Sequence, residues 1–170
     1  VEWNYQAPHN TAKLLNYFVK DKKIKILDAG CGSGLVGIEL KKFGFSNLYG
    51  VDFSQEMLNQ VPKKIYNNLD LVDLNKPTKY LNNSFDAIIC VGTFTYGHVK
   101  ANTLNEFIRI IKTNGLICFT INEGIYLEYE FDKKIKELSS NKQWEIIKFS
   151  KSSYIVNKNV EAWLCLAKKL

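Results

Sequence analysis

The sequence predicts an α/β fold, a doubly wound and mostly parallel seven-stranded sheet with an antiparallel closing strand and helices on both faces. Three observations predict it. Short apolar runs alternate with helical stretches along most of the 170 residues. The run Phe85–Val91 is almost continuously apolar, as in a strand buried on both faces. The last two runs follow one another with no helix between them, which makes them antiparallel neighbours. A chain of this length forms one domain spanning 1–170 and buries roughly 70% of its unfolded surface without disulfides.

The elements follow in order. Lys25-Ile26-Leu27-Asp28-Ala29 is a short apolar strand. Glycines follow it, then a helix over Leu35–Lys42. Leu48–Asp52 is the second strand. Ser54 is placed to cap a helix running through Met57, Leu58 and Val61, and Pro62 opposes its continuation. A weaker strand lies near Leu69–Leu74, and Phe85–Val91 is the fourth. Leu104, Phe107, Ile108 and Ile111 recur at helical spacing, and Asn114-Gly115 is expected to end that helix. Leu116–Ile121 is the fifth strand and Tyr126–Leu138 a helix. Trp144–Phe149 and Ala162–Ala167 close the sheet.

Composition excludes several classes. Hydrophobic residues at 46% and charged residues at 24% are those of a globular domain. No apolar run approaches the ~18–20 residues of a membrane helix. The net charge is +6, yet of the 23 basic residues only Arg109 is an arginine. The lysines are dispersed, with no run longer than a pair, which describes a solvated surface better than a nucleic-acid reader. Cys31, Cys90, Cys118 and Cys165 form no CxxC pair and have no histidine at ligand spacing. They read as small buried hydrophobes in a reducing compartment, with the cytoplasm expected and no metal site. The chain opens at Val1, so an upstream segment is expected to be missing.

The chemistry should lie outside the carboxyl ends of the strands, where doubly wound sheets bind ligands. The first strand ends Asp28-Ala29-Gly30-Cys31-Gly32-Ser33-Gly34. Its alternate glycines let the backbone turn sharply and approach a ligand closely. The stretch Gly32-Ser33-Gly34-Leu35-Val36-Gly37 also matches the dinucleotide pattern GxGxxG. Asp28 at the mouth of the loop repels a pyrophosphate and welcomes a cation. S-adenosylmethionine carries a sulfonium and an ammonium and no phosphate, so Asp28 favours it over NAD. Asp52 ends the second strand and can accept from both ribose hydroxyls of either cofactor. Asp73 follows the third and suits an adenine amino group, with Leu74 packing on the ring.

Together these motifs resemble the class I S-adenosylmethionine-dependent methyltransferases, whose sheet is Rossmann-like. The blocks that carry the resemblance are Asp28–Gly34, Gly50–Ser54 with Met57-Leu58, Asp73-Leu74, Ser84–Ile89 and Phe107–Leu116. Val91–Val99 with Gly50–Leu58 resembles the Williams–Beuren syndrome region methyltransferase-like subgroup. The resemblance implies that Gly30, Gly32 and Gly34, with Cys31 in the same loop, pack on the methionine moiety. It implies Asp28 near the ammonium, Asp52 on the ribose, Phe53 and Met57 beside the adenine, Asp73 and Leu74 at its edge, and Val91 and Gly92 under the methionine part. The segment Tyr5-Gln6-Ala7-Pro8 precedes the first helix, and its aromatic is placed to close the site.

Methyl transfer from a sulfonium is an in-line displacement, and it needs a general base only when the acceptor is protonated. His98 and Tyr96, after the fourth strand, are the candidates; His9 reads as a surface residue. The Asn/Asp-Pro-Pro-Tyr/Phe signature of amino-group methylation is absent after Val91, as is a Pro-Cys nucleophile. The loops between the late strands look short, so a substrate lid is expected from upstream. The acceptor expected is a small molecule, handled by a monomer or weak homodimer away from membranes. The alternatives are a catalytically silent cofactor-binding module, an RNA-modifying enzyme and an NAD-dependent oxidoreductase.

Overall fold

The structure is a computed structural model that describes residues 5–155 and 160–170. One seven-stranded sheet has the order β3-β2-β1-β4-β5-β7-β6. Its strands are β1 Ile26–Ala29, β2 Leu48–Asp52, β3 Asn68–Leu71, β4 Phe85–Phe94, β5 Ile111–Asn122, β6 Trp144–Ile155 and β7 Val160–Lys169. The first five are parallel, and β7 runs antiparallel to both β5 and β6. The strand order reverses at β1, which lies between β2 and β4, so the switch point opens beside the glycine loop.

Helices cover both faces. Helices α1 (Ala7–Phe18) and α2 (Leu35–Lys42) bury Leu15 and Leu40 against one face. Helices α4 (Thr103–Ile110) and α5 (Phe131–Ser140) bury Phe107 and Leu138 against the other. The remaining helix, α3 (Gln55–Leu58), is a single turn. All four cysteines are buried and free. Among the described residues no helix is long and apolar enough to cross a membrane.

Strands β4, β6 and β7 run longer than the sequence expectations, and four other boundaries differ from them. Ser54 does cap α3 by accepting from Met57 N–H, but the helix stops at Leu58 and the chain turns before Pro62. The third strand ends at Leu71, and Asp73 instead forms a tight turn by accepting from Asn75 N–H. Helix α4 ends at Ile110 rather than at Asn114-Gly115, because Ile111 already pairs with Phe85. The register then moves from Phe85↔Ile111 to Ala87↔Leu116, so β5 bulges, with Asn114 at φ 64°. Finally, α5 begins only at Phe131. Glu130 stands at φ 58° before it, and Glu123–Ile125 forms a short 3-10 turn. Tyr126 packs on Trp163 while Phe131 packs on Phe94, and these separate anchors leave no continuous helix between them.

Arg109 is used inside the fold. Its guanidinium donates to both Glu106 oxygens, to the Asn82 side chain and to Thr78, tying α4 to the β3–β4 connection. These bonds hold the Glu106 carboxyl down at about 2. The one arginine is therefore committed to structure rather than presented to a polyanion.

Candidate functional site

A cavity of about 640 Å³ opens at the carboxyl ends of β1, β2 and β4. That volume suits a nucleoside-sized cofactor. The glycine loop forms its floor and is stitched to β2. Gly30 and Cys31 N–H both donate to Val51 O, at 2.8 and 2.9 Å. Gly32 N–H donates to Asp52 Oδ2 at 2.8 Å, and Ser54 N–H to Asp52 Oδ1 at 2.9 Å. Asp52 thus holds the loop as well as facing the cavity, and each of its oxygens retains a lone pair for a hydroxyl.

Gly30, Gly32 and Gly34 all have positive φ. Only Gly30 and Gly32 line the cavity; Gly34 faces Val61 and Tyr66 instead. Cys31, Asp52, Phe53, Met57, Asp73, Leu74, Val91 and Gly92 line it as expected from the sequence. Phe53 and Met57 are 65% and 38% exposed, so they are not core side chains and offer apolar surface to a flat ring. Asp73 is exposed, and its carboxyl is held below the usual range, chiefly by Asn75 N–H. Gly92 N–H donates to the buried Thr120 hydroxyl, at 3.1 Å. Tyr5 and Pro8 close one side, which places the aromatic before α1 at the site.

Asp28 is placed differently from the expectation. It is 1% exposed and does not line the cavity. Tyr66 reaches under α2 and donates its hydroxyl to Asp28 Oδ2. The ring fits there because residues 37 and 50 are glycines; a Cβ on Gly37 would lie 2.5 Å from the Tyr66 ring. Asp28 Oδ1 has no hydrogen-bond partner among the described residues. Burial above all, helped by the nearby Asp52, pushes the carboxyl up to about 7 against the Tyr66 bond that lowers it. Asp28 therefore acts from behind the loop, as a buried acid with one unsatisfied oxygen.

A pH dependence follows. The native state holds the Asp28 proton up to about 7, whereas the unfolded chain releases it near 3.8. The native protein binds more protons in that window, so this contribution to stability falls as pH rises through it. Asp28→Asn keeps an oxygen for Tyr66 and removes the titration. Its stability relative to wild type should rise between pH 4 and pH 8 by on the order of 3 kcal/mol, less if water reaches Oδ1. Urea unfolding of both proteins across that range measures it; a constant difference would refute the buried-acid description.

The two catalytic candidates separate. His98 is exposed, lines the cavity and lies 6.3 Å from the Phe53 ring, centroid to centroid. Tyr96 does not line the cavity. Its ring packs edge-on to Tyr129, and a Cβ on Gly124 would lie 2.3 Å from its hydroxyl. The strand β4 continues to Phe94 and then turns, which carries Tyr96 towards the segment before α5. Sequence reasoning missed Thr93, whose hydroxyl donates weakly to Ala29 O and Gly30 O, at 3.3 and 3.4 Å. It also missed Tyr66. Neither carries a local signal, because both partners are distant in the chain.

The donor set discriminates between cofactors. The loop N–H groups of Gly30, Cys31 and Gly32 already bond Val51 and Asp52, so they are not offered to a pyrophosphate. The Asp52 carboxylate lies beside the loop and faces the cavity, which opposes phosphate and suits a cation. An exposed apolar pair, Phe53 and Met57, and an acceptor pair on Asp52 fit S-adenosylmethionine.

Comparison with known proteins agrees. A family model described as a methyltransferase domain matches residues 20–164. Human methyltransferase-like protein 27 is 35% identical over 125 residues, covering 71% of this chain and 51% of that protein. The ribosomal protein L11 methyltransferase of Fusobacterium nucleatum is 26% identical over 160 residues, covering 84% and 50%. The chain thus spans about half the length of these curated relatives. The magnesium protoporphyrin IX methyltransferase of Synechocystis PCC 6803, solved with S-adenosylmethionine bound, superposes with a TM-score of 0.71 at 15% identity, covering 95% of this chain and 79% of that one. With the family model spanning most of the sheet and the cavity suited to the same cofactor, the chain belongs to the methyltransferase domain family, in its class I S-adenosylmethionine-dependent form.

Proposed function

We propose that this chain is the catalytic domain of a methyltransferase that moves the methyl group of S-adenosylmethionine to a small-molecule acceptor. The observation that carries the reading is the glycine loop whose donors turn inward to Val51 and Asp52 while Asp28 stays buried behind it. The named relatives do not choose the acceptor, since one is a ribosomal protein methyltransferase and another a porphyrin methyltransferase. Size favours a small molecule: Tyr5, Pro8 and His98 line a cavity of about 640 Å³ together with the glycine loop.

When bound, the cofactor supplies an activated methyl group. The chain supplies position. Asp52 would accept hydrogen bonds from the ribose hydroxyls, Phe53 and Met57 would flank the adenine, and Leu74 would pack at its edge. Val91 and Gly92 would lie below the methionine part, with Gly92 N–H fixed on the Thr120 hydroxyl. His98 stands on the open side and takes the acceptor's proton where the acceptor has one to lose.

Calorimetry with S-adenosylmethionine, S-adenosylhomocysteine and NAD tests the cofactor. Micromolar binding of the first two and none of NAD is expected, and the reverse would overturn the reading. Tritium transfer to separated metabolite, protein and RNA pools tests the acceptor class; counts confined to RNA or protein would replace the small molecule. His98→Asn should lower kcat about 100-fold with unchanged S-adenosylhomocysteine affinity. Tyr96→Phe should leave kcat within about twofold, because Tyr96 lies outside the cavity. Equal losses in both variants would remove the base from His98.

A further inference from the structure

The cavity wall built by β4 is not a regular strand. Cys90 pairs with Phe119 of β5, and Phe94 pairs with Ile121. Val91, Gly92 and Thr93 therefore stand opposite the single residue Thr120, so β4 carries a large bulge near its carboxyl end. Both ends of the bulge are pinned. Cys90 and Phe94 are fully buried, and Phe94 packs on Phe107, Phe119 and Phe131. The three extruded residues all line the cofactor cavity. The surplus length of β4 thus becomes cavity wall.

Within Leu116–Ile121 every residue except Thr120 is apolar. Thr120 is 3% exposed and does not line the cavity. A buried hydroxyl is unfavourable unless it is bonded, and a valine of the same shape would avoid that cost. The hydroxyl is bonded at the middle of the bulge, where it accepts from Gly92 N–H at 3.1 Å. Gly92 stands at φ 73° and has no ladder partner on β5. The Thr120 side chain therefore supplies the acceptor that the interrupted ladder does not. Thr93 completes the bulge. Thr95 N–H donates to its carbonyl at 3.0 Å, and its hydroxyl leans on Ala29 O and Gly30 O. The bulge is thereby joined to the glycine loop.

We propose that Thr120 is a positioning residue of the cofactor site, whose hydroxyl fixes the Gly92 peptide and so sets the wall against which the methionine part of S-adenosylmethionine lies. The inference deepens the proposed function and rests on its placement of Val91 and Gly92 under that part. Thr120 acts only through the bulge. The residues assigned to the ribose and adenine, Asp52, Phe53, Met57 and Leu74, stand on β2, α3 and the segments after β2 and β3. Loss of the hydroxyl therefore loosens the hold on the amino-acid end of the cofactor and leaves the nucleoside end as it was.

Calorimetry of wild type, Thr120→Val, Thr120→Cys and Thr120→Ser with two ligands tests it. S-adenosylhomocysteine carries the amino-acid part, and 5′-methylthioadenosine lacks it. Thermal unfolding first fixes a temperature at which the proteins compared are folded. Thr120→Val keeps the side-chain shape but leaves Gly92 N–H without its acceptor. It should weaken S-adenosylhomocysteine about tenfold and change methylthioadenosine affinity less than about twofold. Thr120→Ser restores the acceptor and should return S-adenosylhomocysteine to within about threefold of wild type. Thr120→Cys, whose thiol accepts weakly, should fall between wild type and the valine variant, and it carries the comparison if the valine variant does not fold. Equal weakening of both ligands overturns the inference, because it marks a general loss of structure. Unchanged S-adenosylhomocysteine affinity in the valine and cysteine variants also overturns it, as does a serine variant that recovers nothing. Failure of wild type to bind either ligand overturns the parent reading instead, and this one with it.

Discussion

Gly30→Ala should cost about 2–5 kcal/mol of stability and abolish detectable cofactor binding, combining a positive-φ penalty with overpacking. Gly30 has φ +77°, and a Cβ there would lie 2.0 Å from Thr93 Oγ1, 2.8 Å from its Cγ2 and 2.9 Å from its Cβ. Thr93 cannot simply swing away, because its backbone belongs to β4 and its hydroxyl leans on Ala29 O and Gly30 O. Gly32 gives the contrast. A Cβ there would meet only Met57 Cε, at 3.2 Å, the free end of a flexible side chain. Gly32→Ala should therefore cost only about 1–2 kcal/mol, the backbone term alone. Adding Thr93→Ala to Gly30→Ala should recover about 1 kcal/mol, since the two sites touch. Urea unfolding of the four proteins measures the set, and equal losses at Gly30 and Gly32 would refute the Thr93 contact.

Asp52→Ala should weaken S-adenosylhomocysteine binding by roughly 1.5–3 kcal/mol, about 10- to 150-fold, as for lost hydrogen bonds to a charged group. The effect has two sources. The ribose loses its acceptor, and Gly32 N–H and Ser54 N–H lose theirs. Asp52→Asn separates them: one amide oxygen can still accept from the loop or the ribose, but the amide nitrogen cannot accept at all. Its affinity should fall between those of wild type and the alanine variant, with most of the wild-type stability retained. Calorimetry paired with unfolding curves reads both. Unchanged affinity in Asp52→Ala would remove Asp52 from the cofactor site.

The sequence by itself determined the α/β class, the bounds of α2 and β2, the Ser54 cap and the glycine loop. These are local matters. Apolar periodicity, capping chemistry and positive φ act within a few residues, so a single pass along the chain can read them. It also placed most cavity-lining residues, because a doubly wound sheet sends the residue after each central strand to the same edge. The tertiary structure decided the rest. Tyr66 bonds Asp28 from 38 residues away, turning an expected cofactor contact into a buried acid. Thr93 packs on Gly30 across a gap of 63 residues, so the glycine is required sterically as well as conformationally. Pairing of Ile111 with Phe85 ended α4 before its glycine did, and the turn after Phe94 took Tyr96 away from the cavity while leaving His98 in it. Each outcome depends on which distant side chain occupies the space beside a residue, and only the packing of helices against the sheet sets that.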